Sequence, residues 1–198
     1  ELQAIRTGSC VVVPHDPRLD CNDGFTLQAW IYPTTPEKGV QGLLTKWDDD
    51  EQTGYALVIE EDGSLGLWIG VGKEQVEKVR TGVGLKASHW YSVGATYDAA
   101  SGKVCLCQEP IARWPIENPS AAVEETVRPG AIGENSDAFL MAAYWQKDDG
   151  DNVTTAHFNG KIDGPRLYNR ALEWKQMEQP KGAEVEADDA LVANWDFS

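Results

Sequence analysis

Basic side chains, histidines and long apolar runs are all scarce in this chain. In 198 residues, 17 Lys and Arg stand against 32 Asp and Glu, a formal charge of −15. Phosphate backbones and anionic membranes are held by clustered cations, so neither nucleic acid nor a membrane surface is an expected partner. No apolar run approaches the ~20 residues of a membrane-spanning helix. The four cysteines form no CxxC pair and no zinc motif. Cys105 and Cys107, two apart on a strand, face the same side, where a bridge between them is strained; Cys10 and Cys21 have a spacing that permits a bridge without demanding one. Reduced thiols and a cytoplasmic location are the expectation. Leu2 to Val13 has neither a basic start nor a long apolar segment, so no secretory signal is read there. With Glu1 at the start and a strand-like finish at Leu191–Ser198, residues 1–198 read as a single domain excised from a longer chain. A chain of this length buries roughly 70% of its unfolded surface, and its core needs neither disulfide nor metal to form.

The residues that are present alternate as strands do. Phe25, Leu27, Ala29 and Ile31 fall on one face of a strand, with Trp30 and Tyr32 on the other, before Pro33 ends the run. Gly42 to Lys46 leads into an acidic loop at Asp48–Glu51. Tyr55–Ile59 and Leu65–Ile69 flank Asp62-Gly63, a hairpin signal. Trp90–Tyr97 and Lys103–Cys107 form a second hairpin across Asp98–Gly102. Glu109 to Arg128, rich in Pro and Glu, reads as a long connection. Ala138 to Trp145 reads as one more strand, and Asp148–Asn152 as a polar loop. Asn159-Gly160 reads as a tight turn feeding a strand from Ile162 to Tyr168, and Asn169 as the cap of a short helix carrying Ala171 and Leu172. Many short strands with turn signals between them predict an all-β, two-sheet antiparallel jelly-roll sandwich.

The run from His157 to Leu172 resembles the closing signature of laminin-G-like, concanavalin A-like jelly rolls, "G-x-I-D-x-x-R-[IL]-Y-x-R-A-L". Phe25–Tyr32 and Trp90–Tyr97 are similar to two internal strands of that family, so the resemblance covers nearly the whole chain. Three further phrases are closer still: Gln52–Tyr55 with Ile59–Gly63, Ala156–Asp163, and Leu191–Ser198. They resemble the laminin-G-like domain near the N-terminus of the large, or beta, subunit of N,N-dimethylformamidase. That resemblance implies an accessory domain of an amide hydrolase whose iron is held in a different, later domain. It implies other domains or subunits of the parent as partners and carries no catalytic residue onto this chain.

Glycosidases of this fold set two carboxylates about one sugar linkage on a concave strand, whereas Glu60-Glu61-Asp62 sits at a hairpin tip and reads as solvated charge. His15, His89 and His157 lie far apart, and no nucleophile elbow accompanies them. Gly70-Val71-Gly72 lacks the third glycine and long helix of a phosphate cradle. Asp163, with backbone carbonyls and Asp16 or Asp20, is the candidate for a structural calcium, and the Asp148–Asn152 acids are a second source of oxygen ligands. Eight tryptophans are many for one sandwich. Trp30, Tyr32, Trp68 and Trp145 are candidates to line one face, either to pack against another domain or to stack on carbohydrate, the alternative function.

Overall fold

In the computed structural model, described here for residues 8–111, 120–177 and 188–197 apart from the side chains of 174 and 175, fourteen strands form two packed sheets and one small ribbon. The strands are β1 (Val11–Val13), β2 (Gly24–Pro33), β3 (Gln41–Asp48), β4 (Thr53–Ile59), β5 (Ser64–Gly72), β6 (Gln75–Gly84), β7 (Tyr91–Asp98), β8 (Lys103–Pro110), β9 (Ala121–Thr126), β10 (Phe139–Met141), β11 (Tyr144–Asp148), β12 (Asp151–Thr155), β13 (Gly160–Tyr168) and β14 (Leu191–Asn194). Sheet A runs β1-β10-β3-β4-β5-β6, and sheet B runs β14-β13-β2-β7-β8-β9. The ladders within them are antiparallel, and β11 and β12 form a separate two-stranded hairpin. This is the antiparallel jelly-roll sandwich that the alternation predicts.

The inward faces follow the period-2 pattern. Phe25, Leu27, Ala29 and Ile31 of β2 meet Tyr55, Leu57 and Ile59 of β4 and Leu65, Leu67 and Ile69 of β5 in one core. Phe25 stacks on Tyr55 at 4.6 Å between ring centroids. The Tyr55 hydroxyl donates to Leu19 O at 2.7 Å, so the polar tip of a fully buried ring has a partner. Gln108 does similar work between the sheets: its amide oxygen accepts from Thr81 Oγ1 and Leu65 N, and its amide nitrogen donates to Val83 O.

Several elements differ from their sequence reading, each for a physical reason. Gln75–Gly84 is a ten-residue strand, β6. Its outward Lys78 and Arg80 mask the alternation, as charges on a sheet edge do. Glu109–Arg128 is not one connection, because β8 extends to Pro110 and Ala121–Thr126 forms the edge strand β9; residues 112–119 lie outside the described residues. Ala138–Trp145 is two strands in different ladders, β10 and the start of β11, parted at Ala142 with φ 67°. The Asp148–Asn152 loop is a hairpin tip: Asp148 pairs with Asp151, and Asp149 (φ 50°) and Gly150 (φ 90°) form the two-residue left-handed turn that suits the twist of the flanking strands.

Asn159-Gly160 is not a left-handed turn. Gly160 pairs with Pro33, and its place is set by close packing against the Tyr32 carbonyl and the Phe158 ring. The short C-terminal helix is a single turn, Trp174–Met177, which begins after Ala171 and Leu172 rather than containing them. Val11–Val13, within the segment read for a leader, is the edge strand β1; residues 1–7 lie outside the described residues.

Candidate interaction surface

The four aromatic residues singled out from sequence are divided among three places. Trp68 lies on the outward face of sheet A, in a small cluster with Trp47, Ala56 and Val58, against which Tyr144 packs. Trp47 and Trp68 meet edge-on at 5.6 Å, and Trp68 and Tyr144 at 5.7 Å. Both indole N–H groups are taken: Trp68 Nε1 donates to Glu60 Oε1 at 2.7 Å, and Trp47 Nε1 to Asp49 Oδ1 at 3.2 Å. Lys78 Nζ sits 3.7 Å above the Trp68 ring. Trp47 is 1% and Trp68 5% exposed, so this face is filled by its own rings. Trp145 is on the hairpin, half-buried, with its Nε1 donating to Ala138 O.

Trp30 and Tyr32 lie on the outward face of sheet B, where cross-strand register arranges the residues in rows. The first row is Lys161, Tyr32, Trp90 and Ile111. Lys161 pairs with Tyr32 and its ammonium is 5.6 Å from that ring; Tyr32 and Trp90 are 5.5 Å apart; Ile111 N donates to Trp90 O. Tyr32 and Trp90 are half-buried, Lys161 is exposed and Ile111 is 47% exposed. In the second row Asp163, Trp30, Ser92 and Glu109 are in register. Trp30 is buried there beneath Gly164 and Arg166. The β13 bulge puts Gly164 at φ 52°, where a side chain would come within 2.8 Å of the Trp30 ring, and the Arg166 guanidinium lies 5.2 Å from it.

The remaining rows are covered by the chain that follows β13. Gln28 Nε2 donates to Met177 O, and the Met177 and Cys107 sulfurs both lie against Gly94. Thr26 Oγ1 donates to Arg170 O and accepts from Leu172 N. Among the described residues, sheet B therefore has one covered end and one open end, and the open end carries Tyr32 and Trp90. Trp90 was missed as a surface residue because it stands just before β7; its signal is the register that sets it opposite Tyr32.

The acidic candidates are not brought together. Asp16 caps the turn Pro17–Leu19 and pairs with Arg18, whose guanidinium and backbone N–H lower its carboxyl to about 2. Asp20 lies 3.0 Å from the Lys46 ammonium. Asp163 lies in the row of Trp30, toward the other end of β2. Among the described residues no three His, Cys, Asp or Glu side chains converge as metal ligands. Each histidine has a local partner: His15 Nδ1 the Lys46 ammonium, His89 Nδ1 the Ala87 carbonyl, and His157 Nε2 the Thr154 hydroxyl. All four cysteines are free. Burial and the neighbouring Asp20 push the Cys21 thiol up to about 12, and burial also raises that of Cys105.

Residues 6–177 match the laminin-G-type model of the concanavalin A-like lectin/glucanases superfamily. The chain belongs to that superfamily. Over 206 aligned positions it is 32% identical to the N,N-dimethylformamidase beta subunit of Paracoccus aminophilus, an alignment that takes in 99% of this chain and 27% of that subunit. The superfamily fold is shared with a candidate carbohydrate-binding protein from Bacteroides ovatus (TM-score 0.67, 18% identity, 96% of this chain and 49% of that one). It is also shared with the CBM40 module of a Ruminococcus gnavus sialidase bound to α2,3-sialyllactose (TM-score 0.56, 15% identity, 79% of this chain and 80% of that one). At these identities the two structures speak to fold alone. No helix among the described residues is long and apolar enough to cross a membrane.

Proposed function

We propose that this laminin-G-type domain is a non-catalytic docking module of an N,N-dimethylformamidase-like amide hydrolase subunit, and that the open end of sheet B is the surface it docks with. The observation that carries the reading is the alignment: almost the whole domain matches about a quarter of a beta subunit, which leaves most of that subunit for other segments. The side-chain chemistry agrees with it. Lys46, His15 and His157 and the thiols of Cys21 and Cys107 have hydrogen-bond partners within the sandwich. The row of Tyr32, Trp90 and Ile111, rimmed by Lys161, has the aromatic centre and charged edge of a protein-docking patch. On this reading the partners are other domains or subunits of the parent, its iron lies in a separate catalytic domain, and four reduced thiols suit a cytoplasmic location.

The test uses the full-length protein that carries this domain. Tyr32→Ala with Trp90→Ala should weaken subunit assembly in sedimentation by at least tenfold, while dimethylformamide turnover per assembled enzyme is retained. Undiminished assembly would sink the docking surface. Turnover of dimethylformamide by the isolated domain in proportion to bound iron would sink the non-catalytic role.

Carbohydrate binding is the second reading, favoured by one observation: the half-buried Tyr32 and Trp90 rings stand in the register row next to that of Ser92, whose hydroxyl suits a sugar's. Saturable binding on a glycan panel that disappears in Trp90→Ala would put this reading first. In that case Asp163 is where a structural calcium belongs, and a calcium-dependent rise in Tm lost in Asp163→Asn is its test.

A further inference from the structure

Lys46 interrupts an apolar run, Leu43-Leu44-Thr45-Lys46-Trp47, and is turned inward opposite Tyr55, with 1% of its side chain exposed. A buried ammonium is costly unless its surroundings replace its water. Here they do. Nζ lies 2.8 Å from Asn135 O, 3.0 Å from Asn135 Oδ1, 3.2 Å from Asp137 O, 3.0 Å from Asp20 Oδ1 and 3.3 Å from His15 Nδ1. An ammonium has three protons, and five electron-rich atoms surround this one, so part of the attraction is ion–dipole, as about a bound metal ion. The ligands come from the segment around the Pro17–Leu19 turn and from the segment before β10.

These segments have anchors that do not involve the lysine. Asn135 Nδ2 donates to Thr53 O, Asp137 N donates to Asn135 Oδ1, and Leu19 O accepts from the Tyr55 hydroxyl. The shell is thus a built one. It contains a single ion-paired carboxylate, enough for one positive charge. Its radius of 2.8–3.3 Å exceeds the ~2.3–2.6 Å and falls short of the several carboxylates that calcium takes.

We propose that this rim of the sandwich is a cation cage whose ion the chain itself supplies, and that cutting Lys46 back to alanine converts it into a binding site for a primary alkylammonium ion. Lys46→Ala removes the equivalent of propylammonium, which makes that ion the probe. Because the site is buried, the variant is unfolded and refolded in the amine before melting. At an amine concentration about five times its Kd, the Tm of Lys46→Ala should rise by ~2–4 °C. Tetramethylammonium, with the same charge and no N–H, should do nothing, and neither wild type nor Lys46→Met, whose side chain fills the space, should respond to propylammonium. If Lys46→Ala does not fold in buffer, propylammonium must restore its near-ultraviolet circular dichroism on refolding. The proposal is overturned by no response in Lys46→Ala in either assay, by an equal response in wild type or Lys46→Met, by an equal response to tetramethylammonium, or by a larger one to calcium. It stands apart from the docking reading, since the cage is toward the opposite end of β2 from Tyr32.

Discussion

The outward faces of sheets A and B both carry tryptophan and lysine, and they use them in different ways. On sheet A the rings of Trp47 and Trp68 have their N–H groups bound to carboxylates, their edges against one another and against Tyr144, and almost no exposure. On sheet B the described residues after β13 cover the rows of Thr26 and Gln28, and Tyr32 and Trp90 are half-exposed beside Lys161. An abundance of tryptophan is therefore not a measure of binding surface: Trp47 and Trp68 are almost wholly covered from within, whereas Tyr32 and Trp90 keep part of their area at the surface.

Four experiments would sharpen or break this contrast. The largest effect is expected from Trp47→Ala, which should lower stability in guanidinium unfolding by about 3–5 kcal/mol, against less than ~1 kcal/mol for Trp90→Ala. The reverse order would mean that the faces had been assigned the wrong way round. A double-mutant cycle pairing Trp68→Phe with Glu60→Ala should show a coupling of ~1 kcal/mol; a value near zero would show the Trp68 N–H to be solvated and sheet A open.

Thiol labelling probes the covered end of sheet B. In native protein half-exposed Cys10 should react at least about tenfold faster than Cys105, Cys107 or Cys21, the last also held as the thiol by its raised pKa. Equal rates for Cys10 and Cys107 would mean that the Met177 segment does not cover the sheet.

The smallest effect concerns the fastening of the hairpin at sheet A. His157 bonds to Thr154 of β12, and burial and the nearby Lys38 lower its pKa from the usual 6.5. The unfolded state then binds the proton first, so stability should be full above pH 6.5 and decline by less than ~1 kcal/mol as pH falls through that value toward the lower folded one. Loss of this slope in His157→Gln is the check; an unchanged slope would assign it to other groups.

Much of the fold was legible because central strands are buried on one or both faces and announce themselves by alternation: β2, β4, β5, β7 and β13 were all read close to their observed spans. The strands that escaped, β1, β6 and β9, are edges, and β12 belongs to the isolated hairpin. Half their backbone groups meet solvent, so their side chains answer to solubility more than to the core; Lys78 and Arg80 of β6 and Glu124 and Glu125 of β9 are examples. The candidate surface was legible in part. The face of Tyr32 follows from its position in β2, but its neighbours Trp90 and Lys161 are set by pairing between strands far apart in sequence. Lys46 carries a local signal, a lone charge within an apolar run, but its ligands come from segments far away in sequence.

The central place of β2 in sheet B has a consequence for synthesis. Trp30 is registered with Ser92 on one side and with Asp163 on the other, 133 residues later (163 − 30). At translation rates of about 5–20 residues per second, the second partner follows the first half of the pair by roughly 7–27 s. Through that interval one flank of β2 has no ladder and the Trp30 ring has no β13 bulge above it, so the nascent chain presents an adhesive strand at its growing stage, and it is then that chaperones or premature pairing with a neighbouring chain would decide the yield of folded protein.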